Sequence, residues 1–184
     1  MKSIAVFCGS KNGSEELFAV HARQIGELLV QYKFGLVYGG SNQGLMTIVA
    51  DAVLENGGQV TGVMPERLAE WDHSHKGLTE LMVVADMHVR KLKMYELCSA
   101  AIILPGGFGT MDELFEILAW NQLAIHDLPV FILNSGGFYT TLYQMMQVMH
   151  MAGFLREPLN KNVQIFDVPE TLMEHVAEKI KQEE

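Results

Sequence analysis

Positive charge is in short supply in this sequence: thirteen Lys and Arg residues stand against twenty-two Asp and Glu, for a formal net charge of −9. A nucleic-acid backbone or an anionic membrane favours a basic surface, so neither is expected as the main partner. A small anionic ligand stays compatible if backbone donors and one or two placed cations meet it. Cysteine is scarce too. Cys8 and Cys98 lie far apart and match neither a CxxC nor a metal-ligand spacing, which points to reduced thiols in a cytoplasmic protein. The seven histidines contain no HExxH or other paired-ligand pattern, so no metal is expected. No apolar run approaches the roughly 18 residues of a membrane span. Met1 to Gly9 enter a strand at once, without the charged region, apolar core and cleavage site of a signal peptide.

Internal repeats, low-complexity tracts and Pro- or Ser-rich linkers are absent as well. The 184 residues, 49% hydrophobic, suffice for one substantial core, and a single domain over 1–184 is expected with a frayed tail at 181–184. Within it, apolar runs of strand length occur at 3–8, 35–38, 59–64, 81–85, 100–104, 129–133 and 163–166. Amphipathic stretches at 14–32, 44–56, 87–98, 110–124, 138–152 and 169–182 separate most of them. Ser14 is the expected start signal of the first helix and Pro169 that of the last. Strand and helix alternating along a whole chain predict an α/β fold: a Rossmann-like, doubly wound parallel sheet with helices on both faces. Such sheets collect ligands at the carboxyl ends of their strands.

Three expected strands run into glycine turns there: Phe7-Cys8-Gly9-Ser10, Tyr38-Gly39-Gly40-Ser41 and Pro105-Gly106-Gly107-Phe108-Gly109-Thr110. Glycine lets a ligand approach the main chain, and the free N–H groups of the following helix supply donors and partial positive charge suited to phosphate. Each turn alone is equally well explained as a sharp strand-to-helix connection. None is a Walker motif, since no GKS or GKT follows, and none completes a GxGxxG dinucleotide fingerprint. In the third turn Thr110 is placed as a cap or first-turn hydroxyl, and Glu113 follows in a capping-box relation. Spacing leaves Glu113 open between cap and catalyst. Asp112 reads as a dipole partner, with Glu116 one turn deeper.

His88, Arg90, Lys91 and Lys93 open the helix before the fifth strand, and Arg90, Lys91 and Lys93 are three of only thirteen cations. Arg90 is suited to grip a phosphate or carboxylate with two parallel bonds, and Lys91 offers a point charge. A solvated helix face is the plainer reading of the same cluster.

With Met87-His88-Val89-Arg90-Lys91 followed by Pro105 through Glu113, the chain resembles the Lonely Guy family of cytokinin riboside 5′-monophosphate phosphoribohydrolases. The resemblance extends from Phe7-Cys8-Gly9-Ser10 through Gly44-Leu45-Met46 to Trp120, Gln122-Leu123 and Ile125-His126-Asp127. It implies hydrolysis of the N-glycosidic bond of an adenine-type nucleoside 5′-monophosphate, with Arg90 and Glu113 as the catalytic pair and no cofactor. Glu113 would stabilise an oxocarbenium-like ribose. Arg90 would hold phosphate or the departing purine, and Lys91 would support the same anion. Gly107, Gly109 and Thr110 would bind the 5′-phosphate. Further substrate contacts are implied at Gly9, Ser10, Gly40, Asp72, Gly106, Phe108, Met111 and Asp112, with Met87 and Met94 at the base. A homodimer is also implied, with sites near the interface. The methionine-rich 138–154 stretch reads equally well as part of such a surface or as core packing.

Four positions depart from the family pattern. Ser41 and Thr47 stand where glycine is usual, Asp72 where a substrate-contacting Glu is usual, and Ala119 where Thr is frequent. The last two fall on sugar or base contacts and leave Arg90 and Glu113 untouched. A carrier that binds a nucleotide or cofactor on the same fold without catalysis is the alternative reading; it does not require Arg90 and Glu113 together. A decarboxylase would need pyridoxal phosphate and a lysine to form its Schiff base.

Overall fold

The computed structural model describes residues 1–69, 74–155 and 163–182. Seven strands form one parallel sheet: β1 (Ser3–Phe7), β2 (Gly35–Tyr38), β3 (Val60–Pro65), β4 (Glu80–Val84), β5 (Ala100–Ile103), β6 (Val130–Leu133) and β7 (Val163–Phe166). Each agrees with its predicted run to within a residue or two. The helices are α1 (Glu16–Gln31), α2 (Gly44–Glu55), the short α3 (Glu66–Ala69), α4 (Met87–Glu96), α5 (Phe108–Gln122), α6 (Thr140–Met151) and α7 (Pro169–Gln182). Lys181 and Gln182, part of the tail expected to fray, are the last residues of α7 and are exposed. Glu183 and Glu184 lie outside the described residues.

Strand residues alternate between the two faces of the sheet, and the two halves of the core follow that period of two. Ile4, Val6, Leu36, Tyr38 and Ile102 pack with Phe18, Ile25 and Leu29 of α1, Val49 and Val53 of α2, and Leu172 and Val176 of α7. Ala5, Phe7, Val37, Val63, Ile103 and Ile132 pack with Met94 and Tyr95 of α4, Leu114 and Ile117 of α5, and Met146 of α6. The sheet is therefore doubly wound, as the alternation predicted.

The strand order is β4-β3-β2-β1-β5-β6-β7. The chain winds outward from β1 to β4, then returns to β1's other side with β5. That reversal opens a crevice at the carboxyl ends of β1 and β5, where open α/β sheets bind ligands. Short backbone bonds fix its edges: Gly9 N donates to the Pro105 carbonyl at 3.0 Å, and Leu45 N to the Gly9 carbonyl at 3.1 Å. Tyr139 Oη adds a 2.7 Å bond to the Leu104 carbonyl at the end of β5. Ser14 does not cap α1; Glu15 holds the cap position in extended conformation, with no side-chain bond to the helix.

Candidate active site

A cleft of about 450 Å³ occupies this crevice, a size suited to a small-molecule ligand. Its walls come from the ends of β1, β2 and β3 and from the starts of α4 and α5. Among the residues named from sequence, Gly9, Ser10, Met87, Arg90, Gly107, Phe108, Gly109, Thr110, Asp112 and Glu113 line it. Cys8 and Gly39, from the first two glycine turns, line it too, with Gln43 and Met46 beyond the second turn. Met64 and Leu68 were not anticipated; Met64 had a usable signal, since it stands near the carboxyl end of β3.

α4 begins where Asp86 accepts bonds from His88 N at 2.8 Å and Val89 N at 2.9 Å. This cap places Arg90 one turn in, on the side facing the sheet. Its Nε donates to the Val63 carbonyl at 3.1 Å and one terminal nitrogen donates to Glu113 Oε1 at 3.0 Å. The other terminal nitrogen lies directly beneath Gly39, where a Cβ would collide with it. Arg90 is 8% exposed and Glu113 7%, so the solvated-face reading of the basic cluster does not hold for Arg90.

The capping-box reading of Glu113 also falls. α5 starts at Phe108, two residues before Thr110, and its cap position is Gly107, with no side-chain bond to the helix. Glu113 therefore stands beyond the first turn, buried and facing Arg90. Burial raises its carboxyl above the ordinary value against the opposing pull of Arg90, while nearby Asp112 raises it and Lys91 lowers it. The two charges hold one another in place, because removing either would leave the other buried and unpaired.

Lys91 turns away from this cleft and is not among its lining residues. Its Nζ lies 3.0 Å from Asp112 Oδ2 and 2.9 Å from Glu116 Oε2. Asp112 thus serves Lys91 rather than the helix dipole. Gly40, at φ +75°, shapes the turn after β2, and its carbonyl accepts from His75 N at 2.9 Å. Met111 is half-buried beside the core, and Met94 is fully buried within it, away from the cleft. Asp72 lies outside the described residues.

The glycines of the third turn divide by what surrounds them. A Cβ on Gly106 would run into the Thr110 side chain and the Gly9 backbone, so packing requires glycine there. A Cβ on Gly107 or Gly109 would meet nothing within 4 Å, and neither has a positive φ. Neither packing nor backbone conformation within this chain requires glycine at those two positions. Free N–H groups of the first turn of α5 face the same space, since Met111 N is the first to find its partner, the Gly107 carbonyl at 3.1 Å.

Among the described residues, no group of three or more His, Cys, Asp or Glu side chains is arranged to hold a metal ion. No described lysine lines the cleft in a position to form a Schiff base. No described helix is long and apolar enough to cross a membrane.

Residues 46–176 match a family model described as "Possible lysine decarboxylase". Over 155 residues the chain is 43% identical to the cytokinin riboside 5′-monophosphate phosphoribohydrolase of Rhodococcoides fascians, covering 84% of this chain and 78% of that one. The chain belongs to the Lonely Guy family. Other Lonely Guy relatives include a probable enzyme of the same name from Oryza sativa subsp. japonica, 38% identical over 183 residues, covering 100% of this chain and 75% of the relative. Another, from Arabidopsis thaliana, is 41% identical over 155 residues, covering 84% and 68%. Among solved structures, the Moco carrier protein of Chlamydomonas reinhardtii superposes with a TM-score of 0.76 at 19% identity, covering 99% of each chain. A molybdenum cofactor binding protein of Rippkaea orientalis gives 0.74 at 20% identity, covering 98% of each. Those two share the fold of this Lonely Guy family member, and the likeness extends no further.

Proposed function

We propose that this protein hydrolyses the N-glycosidic bond of an adenine-type nucleoside 5′-monophosphate, AMP or a cytokinin riboside 5′-monophosphate, to free base and ribose 5-phosphate in the cytoplasm. The observation that carries this reading is the buried Arg90–Glu113 pair lining a cleft at the sheet's switch point, 3.0 Å apart. Rupture of the bond between C1′ and the base leaves positive charge on the ribose. Glu113 faces that charge as a carboxylate and orients the water that adds to C1′, while the base departs with the bonding electrons and gains a proton. Arg90 spends its Nε and one terminal nitrogen on Val63 and Glu113, so its main work is to hold the carboxylate ionised and aimed.

Gly107, Gly109 and Thr110 take the 5′-phosphate, which approaches the main chain where no side chain stands in the way. Binding energy from that remote group positions the reacting carbon. Gly9, Ser10 and Phe108 border the same space, and the exposed Met87 offers apolar surface to the base. A carrier on this fold has no need of a desolvated carboxylate held on an arginine. The named relatives at 38–43% identity also favour hydrolysis over carriage.

The working unit is a homodimer. Phe108 and Phe115 of α5 and Leu123 just past its end are exposed at helical spacing, with Val89 and Leu92 of neighbouring α4 also exposed. Phe108 is 96% exposed and lines the cleft, so a second copy covering this stripe lies beside the site. Helix α6 offers a second exposed apolar face through Met145, Val148 and Met151, with Met146 spent on the core; α5 is preferred because its Phe108 lines the cleft.

Product analysis with paired substrates tests the reading. AMP is expected to give adenine and ribose 5-phosphate, whereas adenosine, which lacks the phosphate, is turned over at least about 100-fold less efficiently. Equal turnover of the two would contradict a phosphate-anchored site.

A further inference from the structure

Lys91 neighbours Arg90 on α4, yet successive helical residues point about 100° apart, and the two side chains reach different parts of α5. Arg90 meets Glu113. Lys91 is 6% exposed and bridges Asp112 and Glu116, which stand one turn apart on a single face of α5. Tyr95, one turn further along α4, donates its hydroxyl to the same Glu116 at 3.0 Å. Two carboxylates already surround this ammonium. It therefore presents no net positive charge to a phosphate, and its location outside the cleft lining agrees with that.

We propose that Lys91 is a positioning residue and not a substrate ligand: by clamping Asp112 and Glu116 it docks α4 on α5 and so sets how Arg90 faces Glu113. The proposal rests on the hydrolase reading for its kinetic consequences, and on geometry alone for its structural one. Anion binding is left to the backbone of the glycine turn.

The clamp is electrostatically coupled to Glu113. The charged and titratable groups facing that carboxyl are Arg90, Lys91 and Tyr95 on α4, Asp112 on α5 and Cys8 at the end of β1. Burial holds the Cys8 thiol and the Tyr95 hydroxyl protonated far above neutral pH, so neither titrates alongside Glu113. Burial works against the charge on Lys91, and its bonds to Glu116 and Asp112 outweigh that and raise it above the usual lysine value. Lys91 is thus a fixed cation that favours ionised Glu113, and Asp112 is an anion that opposes it.

The test is carbon-detected NMR titration of the Glu113 carboxyl in wild type, Lys91→Met, Lys91→Arg and Asp112→Asn, alongside AMP kinetics. Loss of the Lys91 charge is expected to move the Glu113 midpoint up by about half to one pH unit, and Asp112→Asn to move it down. Lys91→Arg, which keeps the charge and can bridge both acids, restores the wild-type midpoint. In kinetics, Lys91→Met lowers kcat about 10-fold or more and leaves KM within about threefold. A Glu113 midpoint unmoved by Lys91→Met, or a large rise in KM at constant kcat, overturns the proposal. Should wild type release no base from any nucleotide, the hydrolase reading fails, and the NMR midpoints still decide the clamp.

Discussion

Gly39 lacks a side chain because Arg90 occupies the space one would fill. The turn after β2 passes over the guanidinium so closely that a Cβ at residue 39 would overlap a terminal nitrogen of Arg90. Roofed by Gly39, tied to the Val63 carbonyl at 3.1 Å and to Glu113 at 3.0 Å, the guanidinium is fixed on three sides. Strands β2 and β3 and helix α5 thus converge on one charge. Catalytic arrangements need this kind of prior fixation, since reorganisation during the reaction is costly.

Gly39→Ala is accordingly expected to displace Arg90 and lower kcat/KM for AMP about 10- to 100-fold, with a stability loss of about 1–3 kcal/mol from overpacking. Steady-state kinetics and chemical denaturation measure both. Unchanged kinetics would mean that the exact seat of Arg90 does not matter.

Gly109 should behave in the opposite way on stability. It is the second residue of α5 and a Cβ there meets open space. Alanine is favoured over glycine in a helix, so Gly109→Ala is expected to leave stability equal or raise it by up to about 1 kcal/mol. Because the added methyl enters the volume assigned to phosphate, KM for AMP rises about 10-fold or more. Gain of stability with loss of binding separates a ligand contact from a packing contact.

The acid side of the pH–rate profile follows from the raised Glu113 carboxyl. Glu113 acts ionised, and the ionised fraction grows with pH, so activity falls as pH drops through its folded value. That limb is expected above the ordinary glutamate value of about 4.3. A limb at or below it would show that Arg90 outweighs burial.

Oligomeric state checks the α5 surface. Phe115→Asp places a charge in the exposed stripe, away from Arg90 and Glu113, and is expected to convert a dimer to monomer by light scattering. Leu142→Asp is not an equivalent control, because Leu142 packs against the core. Met151→Asp, on the exposed end of α6, is expected to leave the dimer intact.

How far the sequence was legible depends on range. Strand positions and the doubly wound arrangement followed from local periodicity, and the glycine turns fell where such a fold puts its ligands. The Arg90–Glu113 pairing was named through the family motif; spacing alone left Glu113 between cap and catalyst. That ambiguity arose because the start of α5 is set by Gly107, whose backbone serves as cap without a side chain. Ser14 misled for a similar reason: Glu15 takes the cap position and makes no side-chain bond. The separate duties of Arg90 and Lys91 were invisible, since the Val63 carbonyl and Glu116 are brought to them only by tertiary packing.

Whether Arg90 and Glu113 together break the glycosidic bond is decided by adenine release from AMP by wild type, Arg90→Ala and Glu113→Gln. Wild type is expected to release adenine and ribose 5-phosphate in equal amounts. Each variant, checked for folding by circular dichroism, is expected to lose about 100-fold or more in kcat while still binding AMP. Adenine release undiminished in either folded variant would show that the pair does not break the bond.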